Sequence, residues 1–120
     1  MSLTIIVGAP GAGKSKAIRD RYLKAKGTAI FFDCHHTPEI VRQLRHEMGY
    51  FDHKYLSCSS ENLWPELAKL DNACEVFIDL PDMTTADLER IRHMADEKGG
   101  HFTVTAREIP ATVEAEIIAL

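Results

Sequence analysis

Residues 3–15 read LTIIVGAPGAGKS, and the fold is decided in this stretch. Leu3 to Val7 is a short β-rich run closed by Gly8, the pattern of a buried parallel strand. Gly8-Ala9-Pro10-Gly11-Ala12-Gly13-Lys14-Ser15 then matches G-x-x-x-x-G-K-[ST] in full. From Gly13 the apolar spacing changes, with Ala17, Ile18, Tyr22, Leu23 and Ala25 on one helical face and Gly27 at its end. Strand, glycine loop and helix in this order suit the holding of phosphate. The glycines let the backbone curl towards a ligand with no Cβ in the way. The curled N–H groups and the positive end of the helix then make a nest for anionic oxygens. With ATP or ADP as the nucleotide, Lys14 is expected to reach the β-phosphate and, in ATP, the γ-phosphate, and Ser15 to offer its hydroxyl to Mg²⁺.

The remainder alternates in the same way. Thr28 to Phe32, ending at Asp33, reads as a second strand. Thr37-Pro38 then starts a helix with Ile40, Val41, Leu44 and Met48 as its apolar stripe and Gly49 as its stop. Tyr50 to Ser57 is ambiguous, with a brief extended piece at Lys54-Tyr55-Leu56. Ser60 to Leu70 is expected to be helical, with Pro65 tolerable near its first turn. Glu75 to Asp79 is another strand. Thr84 or Thr85 caps a helix that turns Leu88, Ile91, Met94 and Ala95 inward and closes at Gly99-Gly100. Phe102 to Thr105 makes a fourth strand, and Pro110 is expected to open a last helix with Val113, Ile117 and Leu120 on one side. Right-handed crossovers follow from this alternation. The expected fold is a single α/β domain over 1–120, with a small, mostly parallel sheet of about four strands and helices on both faces.

Val76-Phe77-Ile78-Asp79 supplies what the loop lacks, an acid at the end of a second strand that would hold Mg²⁺. With GAPGAGKS as Walker A and VFID as Walker B, the chain resembles the P-loop NTPases, a superfamily too large to name a process. The stretch LERIRHMADEKGGHFTVTAREIPATVEAEI is similar in layout to the AAA-like and FtsK/HerA-like branch. That resemblance implies a strand between the loop strand and the Asp79 strand, with Thr105 as the polar sensor of the γ-phosphate. Arg107 would act beside it or at a neighbour's site. It also implies a weak Mg²⁺-dependent ATPase, with DNA among the partners to be tested. Where the family carries a water-polarising glutamate, this chain has Leu80, with Asp82 as the substitute, and slow hydrolysis is the consequence.

Two other readings stay open. AIFFDCHHTPEI resembles the second strand of shikimate-kinase-like enzymes, where Asp33 would serve as general base for an acceptor hydroxyl and His35 or His36 would touch substrate. In that branch the Asp79-type strand lies directly beside the loop strand. Alternatively, the absent glutamate and the apolar tail VEAEIIAL suit a nucleotide-gated interaction protein without significant turnover. In the AAA-like strand order no further strand remains to cover the far side of the loop strand. That edge is expected to be covered by the Pro110–Leu120 helix or to pair with another chain, in a homo-oligomer or with a protein partner.

Composition narrows the class. With 45% apolar and 27% charged residues, the 120-residue chain is of ordinary globular type. No apolar run approaches a membrane span. The start runs directly into a strand, so no leader and no membrane partner are expected. Cys34, Cys58 and Cys74 are odd in number and lack paired spacing, which points to reduced thiols and a cytoplasmic setting. Cys34-His35-His36 has no second ligand pair at finger-like spacing. The net charge of −4 divides as nine Lys/Arg against five Asp/Glu over 1–60, and five against thirteen over 61–120. This basic first half is read as a solvated helix face.

Overall fold

In the computed structural model, which describes residues 3–48, 54–70 and 74–120, six parallel strands form one sheet. The strands are β1 (Leu3–Val7), β2 (Ala29–Asp33), β3 (Lys54–Ser57), β4 (Glu75–Asp79), β5 (His101–Ala106) and β6 (Glu116–Ala119). Four helices join them: α1 (Lys14–Leu23), α2 (Pro38–Met48), α3 (Ser60–Ala68) and α4 (Thr85–Lys98). The order across the sheet is β3-β2-β4-β5-β1-β6. β5, the Thr105 strand, therefore lies between the loop strand and the Asp79 strand. The expected stop at Gly49 and the ambiguous residues Tyr50 to His53 lie outside the described residues.

Alternation along each strand divides the core in two. Leu3, Ile5, Val7, Ile30, Phe32, Val76, Ile78, Phe102 and Val104 face α3 and α4, where Leu63, Leu67, Leu88 and Ile91 meet them. Ile6, Phe31, Tyr55 and Phe77 face the other way, against Ile18 and Tyr22 of α1 and Val41 of α2. Strands this apolar on both faces can only be interior, and the two helix layers cover them. Burying the apolar part of one such side chain contributes roughly 1.5–3 kcal/mol.

Local signals set most boundaries. Thr84 and Asp87 form a reciprocal capping box at the start of α4, and Gly99, at φ 68°, ends it in the left-handed region that glycine tolerates. Ser59 caps α3 through Asn62 N–H. Pro65 sits further into that helix than the first turn, and α3 ends three residues later.

Two expectations fail. The sheet has six strands, not about four, because the brief piece at Lys54–Ser57 pairs with β2 and the chain end pairs with β1. The helix expected from Pro110 is absent. Residues 116–119 instead lie beside β1, with Ile117 opposite Ile5 and Ile118 opposite Ile6. A β1 edge with unpaired N–H and C=O groups rewards a strand there, and consecutive isoleucines suit it. The bare edge that suggested a partner chain is thus covered from within.

Candidate phosphate and metal site

β1 ends at Val7, and Gly8 N–H is still held by Ala106 C=O at 3.1 Å. From there the loop is exposed and turns through Gly11 at φ 84° and Gly13 at φ 93°, conformations that a side chain would strain. Ala9 C=O accepts Ala12 N–H at 3.0 Å inside the turn. Gly8 has a different constraint: a Cβ there would stand 3.1 Å from Ala12 Cβ. α1 then opens with no side-chain cap and no acid in its first turn. Its leading N–H groups are thus left without a capping side chain at the positive end of the helix dipole. The Lys14 ammonium curls across the loop and donates to Gly8 C=O.

The strand ends bring the polar residues to this point. Asp33 and Asp79 are register partners on β2 and β4, and Thr105 follows the Ile78–Val104 pair on β5. All three are buried. Since Phe31, Phe77 and Ile6 face α1, alternation turns Asp33, Asp79 and Thr105 (opposite Ile6) to the same side. There Ser15 Oγ donates to Asp79 Oδ2 at 2.6 Å, and Thr105 Oγ1 donates to Asp79 Oδ1 at 3.1 Å. Asp79 is thus fixed from both sides by hydroxyls from α1 and β5. Ser15 and Asp79 offer two hard oxygen ligands in contact, a donor set suited to Mg²⁺.

Neither Leu80 nor Asp82 joins the hydrogen-bonded group of Ser15, Asp79 and Thr105. Leu80 follows Asp79 in an extended chain, so it points to the opposite face and is buried in the α3–α4 core. Asp82 is 84% exposed and forms an ion pair with Arg107 at 3.2 Å, itself more than half exposed. Asp82, expected as the substitute for the glutamate, and Arg107, expected beside Thr105 or at a neighbour's site, are engaged with each other on the surface.

Asp33 is occupied too. Its Oδ1 accepts the backbone N–H groups of His35 at 2.9 Å and His36 at 2.8 Å. Its Oδ2 accepts Tyr55 O–H at 2.6 Å and His36 Nδ1 at 2.8 Å. Burial alone would raise this carboxyl, but the Tyr55 hydroxyl and the His36 and His35 donors outweigh it and hold Asp33 below its ordinary range. Burial and the Asp33 carboxylate in turn push the Tyr55 phenol up, which keeps it a donor. The Tyr55 ring is locked by stacking on Phe31, with centroids 4.6 Å apart. A carboxylate so stabilised is a weak base, which weighs against the role that the kinase-like reading gave Asp33.

Sequence reasoning missed this cluster. Its available signal was the alternation that puts Asp33 and Asp79 on one face; nothing local linked Tyr55 to either. A cleft of about 440 Å³ lined by Arg21, Lys24, Glu75 and His101 lies at the other, N-terminal end of the strands. Comparison with protein-family models, with curated proteins and with solved structures gave no match. No helix among the described residues is long and apolar enough to cross a membrane.

Proposed function

We propose that this chain is a P-loop NTPase domain of the AAA-like or FtsK/HerA-like type that binds Mg²⁺-ATP and hydrolyses it slowly. The observation that carries the reading is the hydrogen-bonded chain Ser15–Asp79–Thr105 at the foot of the glycine loop. It joins the residue expected to hold the metal, the acid expected to share it, and the polar residue expected to sense the terminal phosphate. The loop amides of Gly8 to Ser15 would cradle the phosphates, with Lys14 as their mobile cation. Bound Mg²⁺ would neutralise phosphate charge, held by Ser15 and Asp79.

The intervening β5 favours this branch over the kinase-like one, in which the loop strand and the Asp79 strand would be neighbours. ATP is preferred to GTP because the chain has no N-K-x-D stretch to select guanine. DNA and a protein partner stay within the proposal as agents that would raise the rate.

Calorimetric titration with Mg²⁺-ADP and Mg²⁺-ATP tests the reading directly. Lys14→Ala is expected to weaken binding by roughly 1.5–3 kcal/mol, about ten- to a hundredfold, through loss of a charge-assisted bond. Unchanged affinity in that variant defeats the assignment. Phosphate release measured with and without DNA then separates a DNA-stimulated ATPase from a nucleotide-gated interaction protein, which would bind and not turn over.

A further inference from the structure

Asp33, His36 and Asp79 each place a ligand-type atom within 4.8 Å of the others, immediately beside the Ser15–Asp79 contact. A second cation is one use of such a group, but the lone pairs decide against it. An ionised carboxylate offers about four acceptor positions. In Asp33 all of them are taken, by two backbone N–H groups, the Tyr55 hydroxyl and the His36 ring. A metal would have to displace one of these donors.

The same saturation fixes the imidazole. Asp33 is ionised and can only accept, so His36 Nδ1 must carry the proton in its 2.8 Å bond to Oδ2. In the neutral ring the lone pair is then on Nε2. No hydrogen bond among the described residues uses that atom, and the side chain is about one-fifth exposed, whereas Asp33 is fully enclosed. Three contacts hold the arrangement: the Asx-like turn of His35 and His36 over Oδ1, the Tyr55 hydroxyl on Oδ2, and the stacking of Tyr55 on Phe31. The ring is therefore positioned by a buried acid and lies beside the acid that anchors the phosphate and metal end of the site. This is the logic of an Asp–His pair in which the acid orients and the imidazole takes the proton.

We infer that His36, oriented by Asp33, is the general base for the attacking water, in the place that Leu80 leaves vacant. The inference rests on the nucleotide reading above. Water oxygen forms the new bond to the γ-phosphorus, and the bond from that phosphorus to the β–γ bridging oxygen breaks, its electron pair leaving with ADP. The proton released by water passes to His36 Nε2 and from there to solvent. Asp33 is a positioning residue that touches neither water nor phosphate.

The intact 1–120 chain with Mg²⁺-ATP tests this, reading phosphate release and, on the same samples, ADP affinity by calorimetry. His36→Asn keeps an amide N–H near Nδ1 for Asp33 and removes the Nε2 lone pair. It is expected to lower kcat roughly 10²–10⁴-fold while KM and ADP affinity stay within about twofold. Asp33→Asn is expected to lower kcat with the same sparing of KM, because the ring loses the anion that selects its tautomer. Should His36→Asn also lose ADP binding, His36→Gln decides by the same split of kcat from affinity. Turnover at the wild-type rate in a His36 variant that still binds ADP overturns the assignment, as does a wild-type chain that binds ATP and releases no phosphate. A wild-type chain that binds no nucleotide overturns the nucleotide reading itself, and that result is read from the titration alone.

Discussion

At the scale of single residues, Asp33 is the group on which the site and the fold both depend. Its folded pKa lies below the ordinary 3.8, so the stability it contributes is fully present above that value. It is lost as pH falls through the folded pKa. Asp33→Asn would turn an amide N–H towards the Tyr55 and His36 donors and is expected to destabilise the protein by roughly 1–3 kcal/mol at neutral pH. In urea titrations the gap between variant and wild type should close as the pH is lowered below 3.8, when the wild-type carboxyl protonates as well. A gap that stays constant down to acid pH would show that the substitution acts through packing alone. Cys34, one residue on, gives a simpler expectation. Burial, with smaller contributions from Cys58 and Asp33, pushes its thiol up to about 12. Thiol reagents near neutral pH should therefore label it far more slowly than an unhindered cysteine, and mass spectrometry of the labelled peptides measures this.

The elements show how strongly a local signal can be written. α4 has a reciprocal box, Asp87 N–H to Thr84 Oγ1 and Thr84 N–H to Asp87 Oδ2, both at 3.1 Å. Thr84→Ala leaves the helix start without its acceptor and is expected to cost about 1 kcal/mol, seen as a lower urea midpoint with an unchanged m-value. The start of α1 is the opposite case. Gly13, at its N-cap, brings no side-chain acceptor, and the first turn has no acid. The missing cap leaves those amides without a side-chain acceptor, as the proposed phosphate site requires. The tail 110–120 shows where local signals mislead. The spacing of Val113, Ile117 and Leu120 suits a helix, yet Ile117 and Ile118 complete a ladder along β1.

At the scale of the molecule, strand order matters more than strand content. β1 is flanked by β5 and β6, so the loop that leaves it is anchored by hydrogen bonds from both neighbours: Gly8 N–H to Ala106 C=O, and Leu120 N–H to Val7 C=O at 2.8 Å. Removing residues 116–120 would strip one of these and bare the β1 edge. The shortened chain is expected to unfold at lower temperature and to self-associate, as read by sedimentation velocity against the intact chain. A monomer of unchanged melting temperature would show that β6 contributes little to holding β1. The same order sets Asp33, Asp79 and Thr105 side by side on consecutive strands although the chain separates the first two by the whole of α2, β3 and α3.

What the sequence determined by itself is local: the glycine loop between its strand and helix, the strands ending in Asp33 and Asp79, the strand that carries Thr105, the capping threonine and the closing glycine of α4. Each is set by a few neighbouring residues whose backbone preferences, capping groups and apolar period agree. Tertiary structure decided the rest. The six-stranded order chose β6 over a helix because an open sheet edge outweighs local helical propensity. It brought Tyr55 of β3 to Asp33 of β2, and so turned His35-His36 from an unremarkable pair in a loop into an oriented imidazole beside Asp79. His36 reaches Asp33 from three residues on, but Tyr55 and Asp79 come from other strands, and their register is set by side chains packing on both faces of the sheet, which no short stretch of sequence contains.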